Sequence, residues 1–250
     1  MKYLILLMAL TAMALPVFAD ITEKLKEAER LENNMQEEAA LKKYLEVLNE
    51  DPKNYEALWH TSLLYSKIGN RKDNEDEKIS YFNKAKDYAQ RALNVNPNDA
   101  ESNFVMSVAM GRMALIVGAE ERVAASRDIK KYADKAIKLN PKHAGAYHVL
   151  GIWNFKVANL NWAERVAANM LFGGIPEGAS NEEALRNFKK AIQLGPDYML
   201  YYYDLGKFYD ETDDEAKAIE TFEKLLAMPI ATQDDNRIKQ RSRERLDDLK

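Results

Sequence analysis

Residues 202–229 read YYDLGKFYDETDDEAKAIETFEKLLAMP, and the spacing of the large, small and proline residues in this stretch decides the fold. Tyr202, Leu205, Gly206 and Tyr209 fall on one helical face, with a glycine where a second helix must come close. Ala218 and Phe222 supply the small and flat residues of that second helix, and Pro229 closes it. The stretch is a helical hairpin. A hairpin this short cannot bury its apolar side alone and must stack on others of its kind.

The others are present upstream. Tyr147, Leu150 and Gly151, then Ala184, Phe188 and Pro196, repeat the pattern, with Asn154 in place of the last aromatic. Ala85, Ala89 and Ala92 precede Pro97, and Ala40, Tyr44 and Val47 precede Pro52. Pro52, Pro97, Pro141, Pro196 and Pro229 are separated by 45, 44, 55 and 33 residues. That rhythm is a unit of about 34 residues carrying insertions of about ten, ten and twenty. Both the unit length and the pattern W-x2-L-G-x2-Y…A-x3-F…P are those of the tetratricopeptide repeat (TPR). The sequence therefore predicts an all-α chain, a TPR-like α-solenoid of about five helix-turn-helix units, with an inserted amphipathic helix and a C-terminal capping helix.

The predicted pairs run from about Ile21 to Asn49, then Asn54–Ile68 with Ile79–Asn94, Asp99–Met113 with Ser126–Leu139, His143–Ala158 with Asn181–Leu194, and Asp197–Asp210 with Asp214–Ala227. Ser180 and Glu183 make a capping box. The charged run Gly69 to Glu77 reads as a solvated loop. In the large insertion, Asn159 to Ala179, Trp162, Val166 and Met170 recur every four residues, and Gly173-Gly174-Ile175-Pro176 ends the segment. This extra helix either packs over the array or forms a lid over a ligand groove. Residues 231–250 read as the polar cap a solenoid needs, with Ile238, Leu246 and Leu249 as its apolar contacts and Arg237, Lys239, Arg241, Arg243 and Arg245 on a solvated face.

Residues 1–19 have the form of a signal peptide. Lys2 leads into an apolar run from Leu4 to Leu15, followed by Pro16 and Val17-Phe18-Ala19, which predicts cleavage after Ala19 and a periplasmic or secreted protein. An N-terminal membrane anchor is the alternative, although the run is short for a spanning helix. The mature repeat domain is then 20–230. With no cysteine, neither a thiol lipid anchor nor a disulfide framework is available. Removing the segment takes away Lys2 and moves the formal net charge from −4 to −5, too mildly acidic to imply a nucleic-acid partner.

Residues seven and eleven past each proline share one face of each first helix, the face helical repeats turn inward. Seven past gives Trp59, Phe104, His148 and Tyr203; eleven past gives Leu63, Val108, Ile152 and Lys207. This aromatic and aliphatic stripe with one basic end is the expected ligand or partner groove, and Trp162, Val166 and Met170 are its candidate lid. It lacks the lysines and asparagines of carboxylate-clamping repeats, and suits an amphipathic helix or a lipid tail.

The run Gly151-Ile152-Trp153-Asn154-Phe155, then Leu160-Asn161-Trp162-Ala163-Glu164-Arg165, Leu171-Phe172-Gly173, Glu183-Ala184-Leu185 and Phe188 resembles the regulator of microtubule dynamics family of TPR proteins. Leu58-Trp59 after Pro52 is similar too, so the likeness covers about Ile21 to Pro229. The resemblance implies a helical-repeat adaptor or tether behind a membrane-targeting or export segment; some members are associated with microtubules and some with phospholipid binding at membrane contacts. The bacterial-looking signal departs from that pattern.

Catalytic patterns are missing from the sequence. His60, His143 and His148 fit no metal spacing, and no nucleophile elbow, phosphate loop or dinucleotide fingerprint occurs. Acidic pairs such as Glu182-Glu183 and Asp213-Asp214 sit at helix starts, where the dipole favours them. The expectation is a non-catalytic, exported protein-interaction scaffold or adaptor with no cofactor and no metal. Its partner is a protein; lipid or amphiphile binding in the groove, or contact with a membrane surface, is the alternative.

Overall fold

A computed structural model of the chain describes residues 20–172 and 178–250, so the predicted signal segment and the Gly173–Pro176 turn lie outside the described residues. The described residues form twelve helices and no strand: α1 (20–33), α2 (Glu37–Glu50), α3 (Tyr55–Arg71), α4 (Glu75–Val95), α5 (Ala100–Met113), α6 (Ala119–Leu139), α7 (Ala144–Ala158), α8 (Trp162–Phe172), α9 (Asn181–Leu194), α10 (Met199–Asp210), α11 (Glu215–Ala227) and α12 (Asp235–Asp248).

The first four prolines set the phase of the array. In each case the residue two positions later is the N-cap of an inner helix: Asn54, Asp99, His143 and Tyr198. Asn54 accepts from the Ala57 amide at 3.1 Å, Asp99 from Glu101 at 2.9 Å, and the His143 Nδ1 from Ala146 at 3.1 Å. Each such cap satisfies an amide that the helix cannot, typically worth about 1 kcal/mol. Pro229 departs from the rule. Four residues, 230–233, separate it from Asp234, the N-cap of α12, where one residue separates each earlier proline from its cap.

Hairpins α3–α4, α5–α6, α7–α9 and α10–α11 stack in order, with α3, α5, α7 and α10 side by side as an inner layer and α12 packed on α10 and α11. The glycine and phenylalanine of the repeat pattern meet at each close crossing: a Cβ on Gly151 would stand 2.6 Å from the Phe188 ring, and one on Gly206 2.5 Å from Phe222. Alanines 40, 85, 89, 92, 133, 136, 184, 191 and 218 are fully buried, so beside these rings the outer helices turn only methyl groups to their neighbours and come close. Asn154, the departure from the aromatic pattern, is buried and donates to the Leu150 carbonyl at 2.8 Å, which satisfies its amide within the helix.

Two expectations are corrected. The charged run from Gly69 to Glu77 is not a loop of that length: α3 continues to Arg71 and α4 begins at Glu75, leaving only residues 72–74 between them. Asn74 caps α4 by accepting from the Glu77 amide at 2.9 Å, and Glu75, Asp76 and Glu77 occupy its positive end. Likewise α6 begins at Ala119, two turns ahead of Ser126. The ten-residue insertions are extra helical turns.

The inserted helix α8 lies on α6, in the outer layer. Its inward face carries buried Glu164, held by the Arg122 guanidinium at 2.8 Å; Arg122 also donates to the carbonyls of Ala114 and Val117. No helix of the described residues is long and apolar enough to cross a membrane.

Candidate functional site

The inner layer presents the predicted stripe, and none of its eight side chains is fully exposed. Trp59 is half-buried and stacks on His60 with ring centroids 3.5 Å apart, while Leu63 packs on the apolar cluster of the first units. Phe104 is half-buried against His143 at 4.5 Å, under the bare Cα of Gly145, and Val108 is half-buried one turn on. His148 is buried and paired through Nε2 with the Asp204 carboxylate at 2.8 Å; Ile152 packs on the cluster of the last units. Tyr203 and Lys207 are half-buried, with the ammonium 5.8 Å from the ring centroid. Together with Leu249, Asp210, Arg241, Glu244, Arg245 and Asp248, Tyr203 lines a cleft of 530 Å³ between α10 and α12.

The candidate lid does not lie over this face. Trp162 is 79 % and Met170 78 % exposed, Val166 is half-buried, and α8 packs on α6 and not on an inner helix. A stripe recurring every four residues marks a helix face, but its facing partner is set by where the helix docks. Here Glu164, tied to Arg122, takes the inward position instead.

Each of the three histidines pairs with a carboxylate from another helix. His60 Nδ1 stands 2.9 Å from Glu32, His143 Nε2 3.3 Å from Glu101, and His148 2.8 Å from Asp204. They are polar seams between successive units. Burial acts to raise the Glu32 and Asp204 carboxyls, but the hydrogen bond from the histidine and the cations around them outweigh it and hold both below their usual values.

Sequence reasoning missed the charged half of the inner face, and the signal was one further helical turn along the same stripe. Fifteen past each proline stand Lys67, Arg112, Lys156 and Glu211. Lys67 lies 3.3 Å from Glu37 and 3.5 Å from Glu32, and Arg71 lies 2.6 Å from Glu37. Burial opposes the Lys67 charge, yet Tyr198, Glu37 and Glu32 together raise it above the usual lysine value. Arg112 donates to the Asn70 amide oxygen at 3.2 Å, and burial pulls its guanidinium below the ordinary value. The inner face is thus two-toned: aromatic and aliphatic toward the start of each inner helix, ionic toward the end.

The capping helix is more engaged than a solvated polar face. Lys239 donates to the Leu226 and Met228 carbonyls, Arg245 pairs with Asp210, and Arg237 reaches Asp234 at 3.3 Å. Arg241 and Arg243 remain exposed.

The family model described as Regulator of microtubule dynamics protein 1-3 matches residues 24–250. The chain belongs to this family. It is 28% identical over 181 residues to Regulator of microtubule dynamics protein 3 of Xenopus laevis, a match covering 72% of this chain and 39% of that protein. Regulator of microtubule dynamics protein 2 of Homo sapiens is 26% identical over 181 residues, 72% of this chain and 44% of the relative. The chain thus spans about two-fifths of the length of these relatives. Among solved structures, a thermophilic TPR protein of Thermus thermophilus is similar with a TM-score of 0.65 at 18% identity, covering 90% of this chain and 98% of that one. PilW, a type IV pilus biogenesis factor, is similar with a TM-score of 0.55 at 17% identity, covering 91% of this chain and 86% of that one. These two likenesses speak for the TPR fold of this regulator of microtubule dynamics family member, and for the fold alone.

Proposed function

We propose that the chain is a non-catalytic, exported scaffold or adaptor that recognises a protein partner on the inner face of its stacked hairpins. The observation that carries this reading is the two-toned inner face. It offers apolar footholds at Trp59, Phe104 and Tyr203, followed along each helix by charges at Lys67, Arg112 and Glu211. Such a surface suits an extended or helical segment that buries apolar side chains and pairs polar ones. Export rests on the signal-like form of residues 1–19, and in that compartment the partner is a component of the cell envelope. The test is capture from the native envelope followed by mass spectrometry, comparing the natural chain with a Trp59→Asp, Phe104→Asp variant that retains its helical circular dichroism. Loss of a specific partner in the variant is expected; an unchanged set of captured proteins refutes the inner face as the recognition surface.

A second reading is amphiphile binding in the cleft between α10 and α12. The Tyr203 and Leu249 walls favour it by matching an apolar tail, and the rim, where Asp210, Glu244 and Asp248 stand beside Arg241 and Arg245, suits a zwitterionic head. Native mass spectrometry checks it: lipid-bound species support this reading, and bare protein after incubation with phospholipid or fatty acid eliminates it.

A further inference from the structure

Residues 228–234, the long connection after Pro229, run from the last hairpin back to the first units. Buried Asp235 shapes this strap, accepting from the amides of Ala231 and Thr232 at 2.8 Å each and from the Thr232 hydroxyl at 2.6 Å. From that turn Gln233 reaches α2. Its Oε1 accepts from the Glu37 amide at 3.2 Å and its Nε2 donates to Glu38 at 3.1 Å. The N-cap of α2, Gln36, makes no side-chain cap of its own, so Gln233 caps that helix from 196 positions away. Asp234 stands 3.4 Å from Arg71, and Arg237 donates to the Asn70 carbonyl at 3.3 Å.

Two features set this closure apart from the rest of the array. The contacts named above are polar, and among the described residues no apolar cluster joins the first units to the last. The closure also leaves one cation to spare. No carboxylate among the described residues stands within ion-pair distance of Arg112, whose hydrogen bond goes to the neutral Asn70 amide. The strap therefore presents an amide to the helix N–H that Gln36 leaves uncapped and a carboxylate to Arg71, which it shares with Glu37 and Glu38, beside an Arg112 that has no carboxylate of its own, as a bound peptide would.

We propose that the strap is a built-in pseudo-ligand, covering the ionic end of the inner face until a partner with an extended acidic segment of the Gln-Asp kind displaces it. This rests on the reading of the inner face as the recognition surface. Because the strap is tethered, it competes at an effective concentration in the range of about 1 mM, and a free segment gains full access only when the strap lets go. Contacts made of exposed and half-exposed charges loosen as salt shortens the screening length to below about 10 Å.

The experiment uses a fluorescent peptide of residues 229–236, PIATQDDN, which carries two carboxylates and no basic side chain, titrated against the full chain by anisotropy. Three forms are compared: the natural chain, a released form (Gln233→Ala, Asp234→Ala), and a locked form (Glu38→Cys, Gln233→Cys joined by a short bis-maleimide), the last being clean because the chain contains no other cysteine. The released form is expected to bind the peptide about tenfold tighter than the natural chain, the locked form not at all, and peptide lacking the Gln-Asp pair to bind none of them. Equal binding by all three, or no binding to a released form that keeps its helical content, overturns the proposal. Hydrogen exchange on the natural chain supplies a check that needs no variant: the Glu37 amide is expected to lose protection as salt rises while α3 and α4 core amides keep theirs, and a Glu37 amide as protected as the core at all salt concentrations overturns it. An envelope partner captured equally by locked and natural chains sinks the strap inference while leaving the scaffold reading intact.

Discussion

One substitution, made at two glycines, has opposite expected signs. At Gly206 an alanine Cβ would sit 2.5 Å from Cε1 of Phe222 and 2.8 Å from Cδ1 and Cζ. Carbon atoms in contact prefer about 3.5–4.0 Å, so the overlap is about 1 Å, and Phe222 is fully buried and cannot swing away. Three ring carbons overlap and none can yield freely, so parting the helices or moving the ring off its rotamer costs about 2–3 kcal/mol, the upper part of the overpacking range. Against this, alanine gains about 1 kcal/mol over glycine in a helix interior. The net effect of Gly206→Ala is a loss of about 1–2 kcal/mol, which for a chain of this size lowers the melting temperature by about 2–8 °C. At Gly111, within α5, nothing lies within 4 Å of an added Cβ, so only the propensity gain remains. Gly111→Ala is expected to raise the melting temperature by about 2–4 °C. Circular dichroism melts of the two variants beside the natural chain decide the matter. A Gly206→Ala variant melting at or above the natural chain, or shifts of the same sign at both sites, refutes the account of the hairpin crossing.

The acid limb of stability carries a second prediction. The Asp204 carboxyl lies below its ordinary value of 3.8, because the His148 hydrogen bond and the charges of His148, Lys207 and Arg112 overcome its burial. A depressed folded value means that its contribution is complete above 3.8 and drains away as pH falls through the folded value. Asp204→Asn should therefore flatten the fall of melting temperature in that acid range, and superimposable acid limbs for variant and natural chain would rule out the His148–Asp204 seam as a stabilising contact. A third concerns α8: Trp162 is 79 % exposed while Trp153 is 4 % exposed, so Trp162→Phe is expected to remove most of the iodide-quenchable fluorescence and to change stability by no more than about 0.5 kcal/mol. Unchanged quenching would mean that α8 docks on another face.

Recurrence made the array legible. Gly151 and Gly206 each stand ten residues past a proline, and Phe188 and Phe222 each four past an alanine, because a repeat imposes the same crossing on each unit; the prolines recur because each inner helix has its N-cap two residues later. The inserted turns were harder to see. Glu75, Asp76 and Glu77 look like a solvated loop until Asn74 is seen capping them, since charge at a helix start and charge in a loop are alike in sequence. Lys67 and Arg112 were in view at a regular offset, yet offset alone does not say that Glu37, Asp234 and Asn70 converge on this end of the face.

The sequence by itself determined the hairpins, their order and which side of each is apolar, because helical period, capping and small-residue crossings are local or repeat-to-repeat properties. That α8 docks on α6 and that Gln233 meets Glu37 came from the three-dimensional packing. The first depends on where Glu164 finds Arg122, 42 positions away, and the second on how successive hairpins are turned along the stack, which no single stretch of residues encodes.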